Sequence, residues 1–392
     1  NGDTSNGTKV YLGFEPQWLL IKSTGFTEHW HQFDVMRGIV NGGNDLRLEV
    51  NQTGAEYTLA DFVTIDSDGF TVFFNPNVNG NNENFAYIAI RRPDGYVGKP
   101  PEAGTDAFAM DTGNGSSTIP AYDSTFPVDF AFARRFAATD PWYTSSRLMT
   151  GKFLEAHSNS GSQNSTNFVF DSNVGWLVNH TSAYQSWMWK RGAGFDVVEY
   201  RGNNVAGRQI PHSLNKTPEM IWIKNRDSGY DWQVWHKDLT SGKHLILNSN
   251  GAETNSNSPG LGSVSATHFG VGSYVGVNGN NTNYIAILFA SVNGISKVGG
   301  YTGNGSTSGH QITLGFQPRF LIVKDASQTG NWNVFDTTRG FTGSNDKIMK
   351  LNTTDASANI GGFATPNSTG FNIITDSVGN NNGINYIYYA HA

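Results

Sequence analysis

A long internal repeat constrains this chain more than any other feature. The segment LGFEPQWLLIK at residues 12–22 returns as LGFQPRFLIVK at residues 314–324. Further blocks follow each copy in the same order: HWHQFDVMRG (29–38) matches NWNVFDTTRG (331–340), LRLEVN matches IMKLN, DSDGFTVFF matches NSTGFNIIT, and NFAYIAI matches INYIYYA. Five blocks in one order indicate two copies of a single module.

Two weaker copies lie between these two. One runs from residue 209 through DWQVWHKD (231–238) to NYIAILFA (283–290), and the more divergent one contains FPVDFAFARR (126–135) and SWMWKR (186–191). A module of roughly 100 residues is long enough to enclose its own core, unlike a short solenoid repeat. The sequence therefore predicts four tandem domains, at residues 1–97, 98–193 (the divergent copy), 194–293 and 294–392.

The local sequence predicts β-strands throughout. Apolar runs rich in Val, Ile, Phe, Tyr and Trp are short and end at Asn/Gly clusters such as NPNVNGNN (75–82). No stretch combines a 3.6-residue apolar period with helix caps. We expect an all-β protein of four antiparallel β-sandwich domains, jelly-roll-like, with about six to eight strands each.

Composition excludes several function classes. The chain has no Cys, so disulfides, thiolate metal sites and a Cys nucleophile are ruled out. A net charge of −6 without a Lys/Arg cluster argues against a nucleic-acid partner. No apolar run is long enough for a membrane span, so we expect no membrane insertion. The sequence shows no nucleophile elbow, recurring carboxylate pair, phosphate loop or HExxH motif, which favours a protein that is not an enzyme and needs no cofactor.

Four tryptophans occupy equivalent positions in the modules: Trp30, Trp142, Trp232 and Trp332. An indole can stack on a sugar ring, but a Trp beside Phe and Val on a strand usually fills the core. We predict that these four residues are structural.

Charged and imidazole side chains in the repeat also have structural interpretations. Asp34 with Arg37, and Asp336 with Arg339, are expected to form local ion pairs or to fix a turn. Modules 2 and 3 lack this pair, so it cannot carry a function shared by all four. His29 and His31 would share one strand face, but no third ligand is evident and we predict no metal site.

Aromatic residues outside the repeat pattern are better candidates for a ligand. Tyr184, Trp187 and Trp189 lie in the divergent segment AYQSWMWKR, where a common core does not explain them. We therefore hypothesise that these three residues contact a ligand.

The whole block pattern resembles a repeat domain of virion structural proteins from marine phages, including cyanophages. The pattern is Gly-Asn-Gly, LGFxPxFLIVK, WxxFDxxRG, LxLN, GF and NYIYYA; modules 1 and 4 match it nearly throughout, and module 2 departs from it at FPVDFAFARR and WYTSSRLMTG. Such proteins are often labelled tail fibre or tail-associated.

The resemblance implies an extracellular virion protein: a tail fibre, spike or surface appendage. Its expected partners are copies of itself, other virion proteins and host surface polysaccharide. Two alternatives remain open. One is a self-assembling filament or capsid-decorating protein without a host ligand. The other is a glycan depolymerase, which would need two carboxyl groups within about 5–10 Å of each other.

Overall fold

The computed structural model describes residues 7–58, 60–73, 75–91, 101–192, 194–257 and 261–392. This part of the chain is almost entirely antiparallel β-structure, which confirms the predicted all-β sandwich class. The predicted boundary at 97/98 and residue 193 lie outside the described residues. The division into four independent domains stays a prediction, and we use "module" for the four sequence ranges.

The described residues of module 1 form eight strands and one short helix. They are β1 Thr8–Tyr11, β2 Pro16–Ser23, β3 His31–Asp34, β4 Leu46–Glu49, β5 Tyr57–Thr58, β6 Val63–Asp66, β7 Gly69–Val72, α1 Pro76–Asn79 and β8 Phe85–Arg91. The larger sheet has the strand order β5-β4-β3-β2-β8, and the smaller one β1-β7-β6.

Module 2 begins with a 3₁₀ helix. Its elements are the 3₁₀ helix Gly104–Asp106, β9 Phe108–Thr112, β10 Tyr122–Asp123, β11 Phe130–Arg135, β12 Tyr143–Ser146, the 3₁₀ helix Arg147–Met149, β13 Lys152–Glu155, β14 Gln163–Asn164, β15 Gly175–Trp176 and β16 Tyr184–Trp189. The larger sheet has the order β14-β13-β12-β11-β16-β9, and β10 pairs with β15.

Module 3 repeats this plan. Its elements are β17 Phe195–Arg201, β18 Arg208–Pro211, β19 Met220–Asn225, β20 Gln233–His236, β21 Lys243–Ile246, β22 Thr254–Asn255, β23 His268–Val271, α2 Val275–Asn278 and β24 Asn283–Phe289. The larger sheet has the order β22-β21-β20-β19-β24-β17, and β18 pairs with β23.

Module 4 repeats it once more. Its elements are β25 Ser296–Thr302, β26 His310–Thr313, β27 Phe320–Asp325, β28 Trp332–Asp336, β29 Lys347–Lys350, β30 Ala358–Asn359, β31 Ala364–Asn367, β32 Gly370–Ile373 and β33 Asn385–His391. The larger sheet has the order β30-β29-β28-β27-β33-β25, and the smaller one β26-β32-β31. Neither helix of the described residues is long and apolar enough to cross a bilayer.

Alternate side chains of each central strand point to different cores. In β27, Leu321 and Val323 pack toward the smaller sheet of module 4, whereas Phe320 and Ile322 point away from it. We call the side of each larger sheet that points away from the smaller sheet its outer face. Because side chains alternate along a strand, a central strand that is apolar at every position implies that both faces of the sheet are buried.

The glycine of the GF block allows two strands to approach closely. A Cβ atom at Gly69 would lie 2.0 Å from the carbonyl oxygen of Val10, and one at Gly370 would lie 2.0 Å from that of Ile312. Any side chain at these positions would separate the first strand of the smaller sheet from its neighbour. This contact explains why the block recurs in modules 1 and 4.

Candidate functional site: the shared core and the outer face of module 1

The outer faces of modules 2, 3 and 4 pack together in one hydrophobic core. Rings from different modules are in contact: the centroids of Phe132 and Trp222 are 6.1 Å apart, and those of Trp222 and Trp332 are 6.3 Å apart. Phe289 and Tyr389 lie closer still, at 4.7 Å. We call this the shared core. It joins the three modules into one packed unit.

A closed cycle of hydrogen bonds surrounds the shared core. The indole Nε1 of Trp142 donates to the carbonyl oxygen of Lys350 (2.7 Å), that of Trp232 to Glu155 (3.1 Å) and that of Trp332 to Ile246 (3.0 Å). The bonds therefore run from module 2 to 4, from 4 to 3, and from 3 back to 2. Each acceptor is the last residue of the equivalent strand, β29, β13 or β21. The three modules are thus related by a pseudo-threefold axis.

A buried cation next to each of these three tryptophans donates a hydrogen bond to the same neighbouring module as the tryptophan does. The Nζ atoms of Lys224 and Lys324 donate to the carbonyl oxygens of Asn159 and Gly251, both at 3.0 Å. Arg134 takes this position in module 2 and donates across the boundary to module 4. Burial lowers the pKa of both lysines to about 8. Sequence reasoning missed these residues, although the same apolar run ends in a cation in every module.

The equivalent outer face of module 1 is exposed. Trp30, Val50, Ile88 and Ile90 are 42%, 57%, 54% and 48% exposed. The strand registers place them at the positions that in module 4 are at most 2% exposed, namely Trp332, Leu351, Tyr389 and His391. Most of these positions are apolar in both modules, although Gln32 stands where module 4 has Val334. The larger sheet of module 1 also has five described strands where that of module 4 has six.

Trp30 corrects the prediction that all four repeat tryptophans fill a core. Its main chain makes the same hydrogen bond as in module 4. The main-chain N–H of Trp30 donates to Asn51 Oδ1 at 3.0 Å, and that of Trp332 donates to Asn352 Oδ1 at 2.9 Å. The side chains differ because Trp142, Trp232 and Trp332 lie in the shared core, which the neighbouring modules close over them. Within the described part of the chain, the Trp30 indole N–H has no acceptor.

The residues hypothesised to contact a ligand lie mostly inside the shared core. Trp187 and Trp189 are 0% and 1% exposed, and their indoles donate to Asp336 Oδ2 (3.2 Å) and Tyr389 Oη (3.3 Å) of module 4. This placement corrects the hypothesis for these two residues, because a buried ring offers no face to a dissolved sugar. Tyr184 is half-buried and stacks on His180 at 3.9 Å, and its ligand contact stays a prediction.

The Asp/Arg positions form local ion pairs. Arg37 contacts Asp34 and Arg339 contacts Asp336, each with a shortest N···O distance of 2.6 Å, and each Asp also accepts its Arg main-chain N–H. A carboxylate that accepts both groups fixes the turn after the strand. Asp336 additionally accepts the Trp187 indole, so in module 4 the pair also contributes to the shared core.

His29 and His31 lie near a single carboxylate, Glu49, at 3.8 and 4.0 Å. The described residues contain no group of three or more His, Asp or Glu side chains that could hold a metal ion. Burial, which disfavours the charged imidazole, lowers the pKa of His31 to about 4.

Buried ion pairs attach module 1 to modules 2 and 3. Arg191 contacts both carboxylate oxygens of Glu15, at 2.7 and 2.6 Å, and its Nε contacts Asp196 at 2.7 Å. Nearby, Arg226 pairs with Glu199 at 2.6 Å and donates to the carbonyl oxygen of Asn41 at 3.0 Å. Glu15 and Asn41 lie outside the strands of the larger sheet. Module 1 is therefore held without using its outer face.

An open groove of about 870 Å³ lies between modules 1 and 2. Its lining is mainly Gly, Asn, Ser and Thr, together with the cations Arg37 and Lys152. Lys152 Nζ donates to the carbonyl oxygen of Gly42 at 2.6 Å. The lining residues include no Asp or Glu, so the groove does not provide the carboxylate pair of a glycoside hydrolase.

His391 should make the shared core sensitive to acid. Burial lowers its pKa to about 3, from an ordinary value of 6.5. Between these values the unfolded chain binds the extra proton, so the stability from this group is complete above pH 6.5 and is lost as the pH falls. Module 3 has Phe289 at the same position. When the pH is lowered from 7 to 4.5, the unfolding free energy of both proteins is compared. We expect the native protein to lose about 2 kcal/mol more than the His391→Phe variant.

Urea unfolding at both pH values measures this difference. His268→Phe is the control for the same substitution at a position outside the shared core. Equal pH dependence of the His391→Phe variant and the native protein would show that His391 is not the acid-sensitive group.

One family profile matches most of the chain. The family is described as "Domain of unknown function (DUF7483)", and the match covers residues 1–92 and 154–392. The unmatched segment contains the first half of module 2, where the sequence departs from the repeat pattern. No curated protein and no solved structure is significantly similar to the chain. The chain therefore belongs to the DUF7483 family.

Proposed function

We propose that this protein is a non-enzymatic structural component of a phage virion, located in a tail fibre, spike or surface appendage. The observation that carries the proposal is the shared core, in which three modules close around an axis through equivalent hydrogen bonds. Such packing serves rigidity and assembly. The virion setting rests on the resemblance of the repeat blocks to marine-phage structural proteins.

The physical properties of the chain suit this role. Cys is absent, so stability does not depend on the redox state of the surroundings. Polar loops rich in Asn, Gly and Ser connect short paired strands, and aromatic packing stabilises the interior. A protein outside a cell benefits from each of these features.

Imaging of native particles tests the proposal. Particles from the source would be purified, labelled with an antibody against this chain and examined by electron microscopy. We expect label at the tail or at a surface appendage, with an unrelated capsid antibody as the control. A regular capsid lattice or a free filament would instead favour the self-assembling or capsid-decorating alternative. Absence of the chain from particles would refute a virion role.

A second candidate function, contact with host surface glycan, is favoured by the groove between modules 1 and 2. Its hydroxyl, amide and cationic groups are of the kind that hydrogen-bond sugar hydroxyls. Thr166→Trp would fill the groove and should abolish binding in a glycan array or host-adsorption assay. Thr267→Trp, at an exposed position outside the groove, is the matched control. Equal binding by the two variants would exclude the groove as the glycan site.

A further inference from the structure

We infer that the protein assembles as a homotrimer through the outer face of module 1, so that three copies of this face form the same kind of core that modules 2, 3 and 4 form within one chain. The inference rests on the fold and does not depend on the virion role.

The outer face of module 1 has the composition of a buried interface. Trp30, Val50, Ile88 and Ile90 are among the most exposed large apolar side chains of the described residues. Their neighbours Trp18, Leu20 and Leu48 on the same face are only partly buried, and the face also carries the polar side chain of Gln32 beside Leu20. A contiguous apolar surface of this kind marks an interaction site more often than a solvated face.

The polar groups that close the ring in modules 2 to 4 are also present in module 1. The Trp30 indole is the equivalent of the donors Trp142, Trp232 and Trp332, and Glu49 ends the strand whose last carbonyl oxygen accepts in the other modules. Lys22 is the equivalent of Lys224 and Lys324 and ends the same apolar run. In the trimer, we expect Trp30 of each chain to donate to the Glu49 carbonyl oxygen of the next chain.

The geometry of the internal ring identifies the occupant of this face. In modules 2 to 4, each outer face presents a donor on one side and an acceptor on the other, and three such faces close a cycle. A single kind of face that closes after three contacts defines a cyclic trimer of identical subunits. The partner that fits the outer face of module 1 is therefore two further copies of the same face.

Native mass spectrometry and analytical ultracentrifugation of the full chain test this assembly. We expect a species of three times 42.7 kDa at micromolar concentration. Ile88→Arg should weaken association by about 100-fold or more, because it places an unpaired charge in an apolar interface. Since Ile88 is more than half exposed in the single chain, the variant should fold normally. Val205→Glu, at a residue 56% exposed in module 3, is the matched control and should remain trimeric.

A distance measurement tests the arrangement separately from the mass. The chain contains no Cys, so Thr27→Cys carries one spin label per chain. Thr27 is the equivalent of Thr139, Gly229 and Thr329, all exposed. Pulsed electron resonance should give one inter-chain distance that matches the spacing of those three positions within the chain. Labelling should leave the number of chains per assembly unchanged.

Three results would overturn the inference. The first is a monomer at all accessible concentrations for the native chain. The second is an oligomer that Ile88→Arg and Val205→Glu affect equally, and the third is an oligomer whose inter-chain distance does not fit the internal ring. Any of them would show that the outer face of module 1 does not form the proposed trimer.

Discussion

Replacing Trp332 with Ala should lower the free energy of unfolding by about 3–5 kcal/mol, the range found for buried large-to-small substitutions. The indole is 1% exposed in the shared core, and its Nε1 hydrogen bond joins module 4 to module 3. The variant loses the ring contact with Trp222 of module 3 and leaves the Ile246 carbonyl oxygen without this donor. Urea unfolding followed by circular dichroism measures the effect.

The repeat supplies a matched control for this substitution. Trp30 occupies the same position with the same backbone hydrogen bonds, but it is 42% exposed. In the background of Ile88→Arg, which is expected to be monomeric, Trp30→Ala should cost only about 1–2 kcal/mol, because much of the indole is already in contact with water. If Trp30→Ala and Trp332→Ala cost the same, burial between modules is not what distinguishes these residues.

Replacing Arg191 with Met should destabilise the protein by about 3–5 kcal/mol, as expected when one partner of a buried ion pair is removed. The guanidinium contacts Glu15 and Asp196, and all three side chains are at most 3% exposed. Without it, Glu15 and Asp196 both lose their ion pair with Arg191. Because Glu15 belongs to module 1 and Arg191 to module 2, the variant should also loosen the attachment of module 1.

Limited proteolysis together with urea unfolding tests this prediction. We expect faster cleavage between modules 1 and 2 in the variant, and a lower unfolding free energy. Arg37→Met is the control, since its ion pair with Asp34 is partly exposed and should contribute only about 0–1 kcal/mol. If Arg191→Met lowers the unfolding free energy no more than Arg37→Met does, the buried ion pairs are not what holds module 1 in place.

The β-sandwich class followed from sequence because its determinants are local. Short apolar runs between Asn/Gly clusters specify strands, and the repeat of five blocks specifies that the same arrangement recurs. The packing of modules against one another depends on which faces meet, and no local pattern encodes that choice. One signal was nevertheless present. Runs such as FLIV (320–323) are apolar at every position, which indicates a sheet buried on both faces.

The candidate site was predicted only in part, for the same reason. Equivalent tryptophans were recognised as structural, but their burial was assigned to the wrong core, and the exposed Trp30 could not be distinguished from its three buried counterparts. Trp187 and Trp189 broke the repeat pattern because module 2 fills its share of the shared core with two indoles, where module 3 has Ile287 and Phe289 and module 4 has Tyr389 and His391. These residues depart from the repeat pattern because they fill space in the shared core, and not because they contact a ligand.

The most direct test of the shared core is native-state hydrogen exchange under increasing denaturant. Amides of the central strands β11, β19 and β27 should converge on one opening free energy, because modules 2, 3 and 4 cannot separate without exposing the same core. In the Ile88→Arg variant, the amides of strand β2 in module 1 should share a different opening free energy. Three distinct opening free energies, one for each of modules 2, 3 and 4, would show that these modules unfold independently and would contradict the account.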